Sequence, residues 1–567
     1  GVVQAGTGGS VTLDTHNHSV DFQTNGTSNV LTSVTGTSSG TLKLTAAGAY
    51  SLQADLSAST GYLDARTVAG DLTVSGPVKT QGGTVTLVPG GNLVVNSTVL
   101  SQISGGTGGT IQFSPGGSII LDNASVPLVA AKDADITFGG PVTLTLDATV
   151  GITESDGLTH TLSFSSTVDS TSTARALTVA HTSPSKTVDT TFTGALGSST
   201  ALSALTVTAG NPRNIVVHSV GGAAAGVTGN TALTATGTGT VTFAGTTYKT
   251  TGSQVYTAPA GTSFLFTSGA ATTVTTSNAA ITFTTGDTKL SALTDLTLTS
   301  AGGAISLGKV DGTAGAAGQT LTATASGGAA NTISVGAVGT ATTNGIHSVV
   351  LTAPGGVTLN GSLTTDNTGG NLVQVTGPTV LGTSITITTA ASTGGIAFVG
   401  GTSTINGTGS GTEALALRAG TGDVTLGGVV GGTAGKALAS LAINTGTAGV
   451  ASAAQVSVAG VGSAGTLGVA GATDIAASTS VTFTGGTYRT TGTQDWYAPA
   501  GTTFVVTASN PTTFQTANAA LAFHTGSFGG LGSWHDTLTL DAGTSTVAVG
   551  SIGAGNNDIN TLAISGT

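Results

Sequence analysis

VTFAGTTYKTTGSQVYTAPAGTSFLFTSGAATTVTTSNAAITFTTG, residues 241–286, returns later in the chain as VTFTGGTYRTTGTQDWYAPAGTTFVVTASNPTTFQTANAALAFHTG, residues 481–526. The two stretches align without a gap at an offset of 240 residues, and 26 of the 46 positions are identical. A chain that duplicates itself this closely is an array of repeats, and an array has to be recognised before any local motif is interpreted. The duplication therefore predicts an architecture built by repetition.

Composition places the chain in the all-β class. Glycine accounts for 91 of the 567 residues, and only 7% of the residues are charged. Disordered chains are poor in apolar residues and usually highly charged, whereas 38% of this chain is hydrophobic and many of those residues are β-branched. Glycine has no three-residue period, which excludes collagen. Because Gly or Thr interrupts every candidate helical run, we predict an all-β fold.

Charge and cysteine content exclude several kinds of partner and chemistry. The chain has no cysteine, which rules out disulfides, cysteine-ligated zinc and thiol catalysis. Its net charge is −11, and its 13 Lys and Arg residues are scattered singly. Since no basic stripe is available to hold phosphates, we do not expect a nucleic-acid partner. The low charge inclines us towards an extracellular location.

The sequence shows neither a signal peptide nor a membrane-spanning segment. It begins at Gly1 without a methionine, and no basic region followed by an apolar core comes after it, so we expect a processed or excerpted chain. The apolar stretch 424–477 is interrupted throughout by Gly, Ser, Thr and Asn and contains no clean run of 18 apolar residues. We therefore expect no membrane insertion by this segment.

Short alternating strands separated by turns recur along the whole chain. Residues 11–13, 41–44, 71–74 and 84–87 are early examples, each followed by glycine or asparagine turns. Alternation places the aliphatic residues on one face of a strand and Thr, Lys or Asp on the other. This pattern predicts many short, half-buried strands.

From residue 141 onward, three sets of markers indicate a module of about 120 residues. Prolines that open apolar runs, phenylalanine-bearing strands and glycines that end strands each recur at intervals of 114 to 125 residues; they are Pro141, Pro259, Pro378 and Pro499, then Phe164, Phe283, Phe398 and Phe523, then Gly194, Gly308, Gly427 and Gly550. The 240-residue offset then spans two modules. We divide the chain into a divergent β-solenoid part, 1–140, three repeat modules, 141–258, 259–377 and 378–498, and a partial module, 499–567.

A β-solenoid explains this module better than a string of β-sandwiches. Coils of roughly 20–24 residues would divide each module into about five or six coils, whereas sandwich domains would need about 100 residues each, with linkers between them. No Pro-rich or charged linker separates the modules, and the strand-turn rhythm crosses every boundary. We predict a parallel β-solenoid whose inward small aliphatic residues stack in ladders, with one Phe per module filling a wider corner.

The repeats of this chain resemble those of a known protein family. Strings such as VTLGGVVGGTAGKALASLAINTG and VTFTGGTYRTTGTQDWYAPAGTTFVV are similar to the repeat regions of filamentous-haemagglutinin-like bacterial surface proteins, exported by two-partner secretion or as autotransporter passengers. The resemblance covers roughly residues 141–567 and rests on repeat style. It implies a right-handed parallel β-helix, an extracellular location and an adhesive or structural role. The family's secretion-recognition domain and membrane barrel are not found in this sequence.

Isolated motifs for catalysis or metal binding have ordinary structural explanations. Asp14, His16 and His18 share one strand face at metal-compatible spacing, and Asp21 has the opposite parity, so we interpret them as a polar strand surface. The S-x-x-K spelling at residues 183–186 lacks the helix that this motif requires. Trp534-His535-Asp536 sets a histidine beside a carboxylate without an assignable nucleophile. We therefore predict no catalytic residue, no metal ligand and no cofactor.

The glycine run at 407–411 and the N-x-S/T tripeptides also have structural explanations. Gly407, Gly409 and Gly411 resemble a phosphate-binding loop only in spelling, because no helix follows them. The N-x-S/T tripeptides are expected by chance in a Thr- and Ser-rich chain, and most are interpreted as turn asparagines; they begin at Asn17, Asn25, Asn96, Asn123, Asn360 and Asn406.

The aromatic cluster of the duplicated stretch leaves two interpretations open. It comprises Tyr248 and Tyr256 in the first copy and Tyr488, Trp496 and Tyr497 in the second. These side chains either pack a coil corner or form a surface patch for a neighbouring chain or a sugar.

The prediction of function rests on this architecture, because the sequence shows no catalytic or metal-binding site. We predict a secreted structural protein, the subunit of a cell-surface or extracellular filament, that associates end to end or within a longer chain; the alternative is an adhesin stalk that contacts host or matrix glycans. We do not expect an enzyme, since β-helix polysaccharide-degrading enzymes need close carboxylate pairs and the 24 acidic residues are dispersed. Ice binding is a further alternative, but Thr-x-Thr runs such as 143–145, 297–299 and 386–388 are irregularly spaced.

Overall fold

Two compact units divide the chain: residues 1–268 with 272–287, and residues 269–271 with 288–567. The computed structural model describes residues 10–14, 20–23, 33–37, 42–46, 48–56, 62–101, 108–182, 188–208, 214–313, 318–340, 345–366, 370–389, 394–444, 455–507, 511–530, 537–553, 559 and 561–566. Within these ranges the chain forms no helix, and its parallel strands stack as a β-solenoid of about 18 turns. The predicted fold class is confirmed.

The strands are short, and they come from alternating segments of the sequence. In the first unit, β1 to β29 are, in order, Ser10–Asp14, Val20–Gln23, Ser33–Thr37, Leu42–Ala46, Tyr50–Leu56, Leu63–Thr67, Leu72–Thr80, Val85–Val88, Leu93–Val95, Val99–Leu100, Ile111–Phe113, Ile119–Leu121, Val129–Lys132, Ile136–Phe138, Val142–Leu144, Ala148–Thr153, His160–Phe164, Val168–Ser170, Ala176–Ala180, Val188–Leu196, Ala204–Thr208, Ile215–Val220, Thr231–Thr234, Val241–Phe243, Thr247–Thr250, Gln254–Thr257, Ser263–Phe266, Thr272–Thr276 and Ile281–Thr284.

The remaining strands continue the same pattern. In order, β30 to β57 are Asp287–Leu290, Leu296–Ser300, Ile305–Leu307, Val310–Gly312, Thr320–Ala325, Ile333–Val335, Ser348–Thr352, Val357–Leu359, Leu363–Thr364, Leu372–Thr376, Thr379–Leu381, Ile385–Thr388, Gly395–Val399, Ile405–Gly407, Ala414–Arg418, Val424–Leu426, Ser440–Ile443, Gln455–Val458, Thr473–Ala476, Ser480–Phe483, Thr487–Thr490, Gln494–Tyr497, Thr503–Val506, Thr512–Thr516, Leu521–Gly530, Thr537–Asp541, Val547–Ile552 and Thr561–Ser565.

Each strand pairs in parallel with the strand one coil further along. Val85 of β8 is in register with Ile111 of β11, and Ile111 with Ile136 of β14. In the second unit Val424 of β45 is paired with Val456 of β47, across a longer coil. The expected coil length of roughly 20–24 residues is therefore too short for many coils. Turns of variable length absorb the extra residues, while the strands stay in register.

Alternating burial along each strand builds the core. In β7 every second residue from Leu72 to Thr80 is buried, and the residues between them are exposed or half-buried. Leu72, Val74 and Val78 are fully buried. Because successive side chains of a strand point to opposite faces, parallel pairing in register stacks the inward residues into continuous columns, as the sequence pattern predicts.

Phenylalanine occupies one such column on successive coils. In the first unit the column is formed by residues in register, each one coil from the next: Phe113, Phe138, Phe164, Phe192, Val217, Phe243 and Phe266. The rings of Phe138 and Phe164 stack with centroids 4.5 Å apart and an angle of 4° between planes. The expectation of a single Phe in each module is wrong. Parallel pairing at about 4.8 Å places like rings at a favourable stacking distance, so one Phe favours the next.

A buried glutamine organises both copies of the duplicated stretch. Gln254 Nε2 donates to the backbone oxygens of Tyr248 (3.1 Å) and Thr275 (2.8 Å), and its Oε1 accepts from the Tyr256 hydroxyl. The second copy repeats the arrangement, with Gln494 donating to Tyr488 O at 3.0 Å. Both glutamines are fully buried. The repeated T-G-x-Q motif therefore places a buried, hydrogen-bonded glutamine among the aromatic side chains of the coil.

A glycine after the first strand of each copy permits close contact between coils. A Cβ at Gly245 would lie 1.5 Å from the backbone oxygen of His218, and one at Gly485 would lie 1.6 Å from that of Ala459. The same glycines donate their N–H groups to the hydroxyls of Tyr248 and Tyr488. The glycine of the V-T-F-x-G motif is thus explained by the close contact with the preceding coil, which leaves no room for a side chain.

We expect Gln254→Leu to lower the free energy of unfolding by about 1–3 kcal/mol, because two carbonyl oxygens and a buried tyrosine hydroxyl lose their partner. Urea unfolding followed by circular dichroism measures the change. Val255→Ala, on the outward side of the same strand, is the control and should stay within about 0.5 kcal/mol. Equal effects of the two substitutions would contradict a structural role for the glutamine.

Candidate functional site

Four of the motifs considered above fall wholly or partly outside the described residues, among them the N-x-S/T tripeptides at Asn17 and Asn25. His16 and His18, the S-x-x-K run at 183–186 and residues 534–536 lie there, while Asp14 ends β1. The interpretations given to these motifs stay predictions.

The glycine run at 407–411 surrounds a carboxylate of its own chain. The Glu413 carboxylate accepts hydrogen bonds from the backbone N–H of Thr408 (3.0 Å) and from the hydroxyls of Thr408 and Thr412. Burial by itself raises the pKa of Glu413, but these hydrogen bonds outweigh it and hold the pKa below its usual value. A strand, β44, follows the loop. Both findings agree with the prediction that this run is not a phosphate-binding loop.

Four of the five clustered aromatic side chains lie inside the solenoid. Tyr248, Tyr256, Tyr488 and Trp496 are at most 1% exposed. The Tyr488 hydroxyl donates to the backbone oxygen of Val458 at 2.7 Å. For these four residues the packing interpretation is confirmed and the surface-patch interpretation is wrong, because a narrow coil encloses every second side chain of its strands.

Tyr497 is the exception and belongs to an outward cluster. Its ring stacks on that of His524, with centroids 4.2 Å apart and 10° between the planes. His524 Nε2 lies 3.3 Å from Asp495 Oδ1, and Asp495 is in register with Asp474 on the preceding coil. Burial, followed by the charges of Asp495 and Asp474, raises the pKa of the Tyr497 hydroxyl.

Asp474 is the least favourably placed charge of this outward cluster. Its Oδ1 is buried and has no hydrogen-bond partner. Burial, and then the charge of Asp495, raise the pKa of the Asp474 carboxyl. The corresponding positions of the first copy carry no ionisable group, with Ala232, Val255, Thr257 and Thr284 in place of Asp474, Asp495, Tyr497 and His524. The duplicates therefore share their core and differ in their outer face.

A second polar cluster in the first unit lies between the β13–β14 turn and the β16–β17 turn of the next coil. His160 Nε2 lies 3.1 Å from Asp156 Oδ1, and its Nδ1 lies 3.9 Å from Asp135 Oδ1. Asp133, Asp156 and His160 each have one oxygen or nitrogen atom within 4.8 Å of those of the other two. Asp133 and His160 are buried, and Asp156 is exposed.

Hydrogen bonds from the turn hold both aspartates in place. Asp133 Oδ2 accepts from the Ser155 hydroxyl at 2.8 Å, and Asp133 Oδ1 accepts from the backbone N–H groups of Ser155 and Asp156. Burial acts to raise the pKa of the Asp156 carboxyl, but the N–H of Leu158 and the His160 ring lower it more, so it lies below its usual value. An ionised carboxylate is thus held beside the imidazole.

The sequence patterns identify neither cluster. Asp133 and Asp156 are distant in the sequence, as are Asp474 and Asp495, and each pair is brought together only by the length of a coil. The strand pattern predicts which face a residue takes but not its neighbour on the next coil. The local coil length is the signal that would be needed to find these pairs.

Many of the other acidic side chains serve as backbone caps between coils. Each accepts the backbone N–H of a residue one coil further along, and the pairs are Asp71 with Asn92, Asp135 with Thr161, Asp147 with Ala176, Asp169 with Ser199, Asp189 with Asn214, Asp295 with Thr320, Asp311 with Thr340 and Asp423 with Gln455. Where a turn N–H group lacks a strand partner, a carboxylate supplies one.

Some asparagines of the N-x-S/T tripeptides have the same structural use. Asn406 Oδ1 accepts from the N–H of Thr433, and Asn123 Nδ2 donates to the backbone oxygen of Asn96. Asn123 lies between β12 and β13, which agrees with its interpretation as a turn asparagine, whereas Asn406 lies within β43 and the turn interpretation is wrong for it.

The Thr-x-Thr runs do not extend into a regular surface. Thr299, Thr324, Thr352 and Thr376 align on successive coils. The neighbouring column begins with Thr297 but carries valine at its third coil and glutamine at its fourth. The hydroxyl array is thus two columns wide over two coils only.

Comparisons with known proteins do not assign this chain to a family. No family model, no curated protein and no solved structure matches this chain. The structure supports a β-helix repeat protein, while the likeness to filamentous-haemagglutinin-like proteins rests on the sequence alone. In the part of the chain that the structure describes, no helix is long and apolar enough to span a membrane.

We expect Asp474→Asn to stabilise the protein at neutral pH. A raised pKa means that folding disfavours the ionised carboxylate, so the neutral amide removes a cost that is present above the folded-state pKa. Below the unfolded-state pKa of about 3.9 the aspartate is neutral in both states and the gain should vanish. Urea unfolding at about pH 7 and about pH 3 measures both limits, and a gain that persists unchanged in acid would contradict this origin.

Proposed function

We propose that this chain is a secreted structural protein whose β-solenoid forms a stiff rod in a cell-surface or extracellular filament. The observation that carries the proposal is the in-register stacking of buried columns within each unit, such as Ile111 on Ile136 and Leu321 on Val349. Stacked coils bond their backbones along one direction and bury a continuous core, so each coil stiffens its neighbours. Such a unit resists bending without needing cysteines or ligands.

The use of acidic residues supports a structural rather than an enzymatic role. The caps described above commit many carboxylates to backbone N–H groups of the adjacent coil. Glycosidases need two carboxyl groups flanking a substrate groove at roughly 5–10 Å, and a carboxylate that caps a backbone N–H group is not available for that role. An absence of catalytic activity remains part of the proposal.

The outer edge of β57 supports association in the direction of stacking. β57 is in register with β55, so that Leu562 and Ile564 continue the columns of Leu538 and Leu540. Leu538 and Leu540 are fully buried, whereas Leu562 and Ile564 are 43% and 52% exposed. An apolar strand edge of this kind accepts another strand. We propose that a strand of a second copy pairs with this edge in the filament.

End-to-end association of the purified chain tests the proposal. We expect negative-stain micrographs to show elongated assemblies whose length grows with concentration, and we expect Leu562→Lys with Ile564→Lys to shorten them, because charges would be buried at the joint. Val68→Lys, at a residue 74% exposed in the first unit, is the control. Compact monomers at every concentration would contradict the filament.

An adhesin stalk is the second candidate, and a surface cleft in the second unit favours it. The cleft has a volume of about 300 Å³ and is lined by Ser410, Thr466, Leu467 and Thr491 among small residues. Hydroxyl groups beside an apolar side chain can contact the polar groups and the apolar face of a sugar ring. A glycan array distinguishes the two roles: binding that is lost in Leu467→Asp favours the adhesin, and polymerisation without glycan binding favours the filament.

A further inference from the structure

We propose that Asp133, Asp156 and His160 bind a divalent transition-metal ion, with zinc as the best match. The donor set is one imidazole nitrogen and two carboxylate oxygens, all within 4.8 Å of one another. Zinc binds such nitrogen and oxygen atoms at about 2.0–2.2 Å in a tetrahedron, which sets neighbouring donors roughly 3.3–3.5 Å apart. His160 Nε2 and Asp156 Oδ1 are 3.1 Å apart, close to that spacing, and the set as a whole, spread over as much as 4.8 Å, would draw closer around the ion.

The position of the imidazole suits a bound cation. His160 is buried, and its two ring nitrogens face the carboxylates of Asp156 and Asp135. A metal ion on Nε2 would lie between the ring and Asp156, and the ring N–H group would then be on Nδ1, towards Asp135.

Asp135 is placed to orient the ring of His160. A metal-binding histidine commonly donates its other ring N–H to a carboxylate, which fixes the ring. Asp135 Oδ1 lies 3.9 Å from His160 Nδ1, so the ring must move slightly towards it to donate a hydrogen bond, and Asp135 is itself held by the N–H of Thr161 at 2.7 Å. We assign Asp135 as a positioning residue rather than a ligand.

Asp133 retains capacity for an ion despite its other contacts. A carboxylate has about four lone-pair positions, and Asp133 uses three of them for the donors of Ser155 and Asp156. Those donors also prevent the side chain from rotating away. Because Asp156 is exposed as a residue, although its side chain is 17% exposed, the ion has a route from solvent.

The outward cluster at His524 serves as an internal comparison. It pairs one histidine with Asp495 at 3.3 Å, but it does not bring a third oxygen or nitrogen donor of an acidic residue or histidine to the same point, since the only group of that kind in the described residues is the one at His160. Threonine stands at the position of His524 in the first copy, as Thr284. His524→Thr is therefore a control that the fold accepts.

Zinc titration of the full chain, first stripped with a chelator, tests the proposal. We expect isothermal titration calorimetry to show one zinc ion per chain and cobalt to give the visible absorption of a bound ion. His160→Asn should abolish both signals, and His524→Thr should leave them unchanged. Asp135→Asn keeps an oxygen for Thr161 and should weaken binding by about 10–100-fold.

Three outcomes would overturn the site: no binding up to millimolar zinc, binding that survives His160→Asn, or binding that disappears in His524→Thr. Circular dichroism and the metal-free melting temperature show whether each variant is folded. If His160→Asn does not fold, the wild-type chain still decides the question, because zinc must shift the NMR signals of the His160 ring and leave those of His524 in place.

Discussion

Parallel hydrogen bonding between successive coils governs almost every other feature of this protein. The ladder holds each strand in register with the strand one coil away, so inward residues stack on inward residues and similar side chains often follow one another in a column. Aliphatic and phenylalanine columns, such as the one through Phe138 and Phe164, follow directly. Glycines follow too, because backbones approach closely where Gly245 meets His218.

The ladder also determines how polar groups are used. Strand N–H groups find partners on the adjacent coil, and where turn N–H groups do not, aspartates such as Asp71 and Asp423 supply the missing acceptors. A low content of charged residues is then sufficient, since many acidic side chains have a structural use. The charges around His160 and His524 stand out because they are arranged against one another as well as against the backbone.

The two copies of the duplicated stretch separate structure from surface. Gln254 and Gln494 make equivalent bonds inside the coil, whereas Val255 and Asp495 differ outside it. Inner positions are restricted by packing and by buried hydrogen bonds, and a change there costs stability. Outer positions tolerate charged side chains. Asp474 is one of them, although its buried Oδ1 has no hydrogen-bond partner.

Residue type and a period of two are enough to establish the all-β class, the inward alternation and the repetition, so these features could be predicted without a structure. The same reasoning identified the glycine run at 407–411 as structural. Contacts between coils could not be predicted in this way, because coil length varies from the short coil between Val34 and Leu52 to the long one between Val424 and Val456. The approach of Asp133 to His160 depends on that length, and no local pattern encodes it.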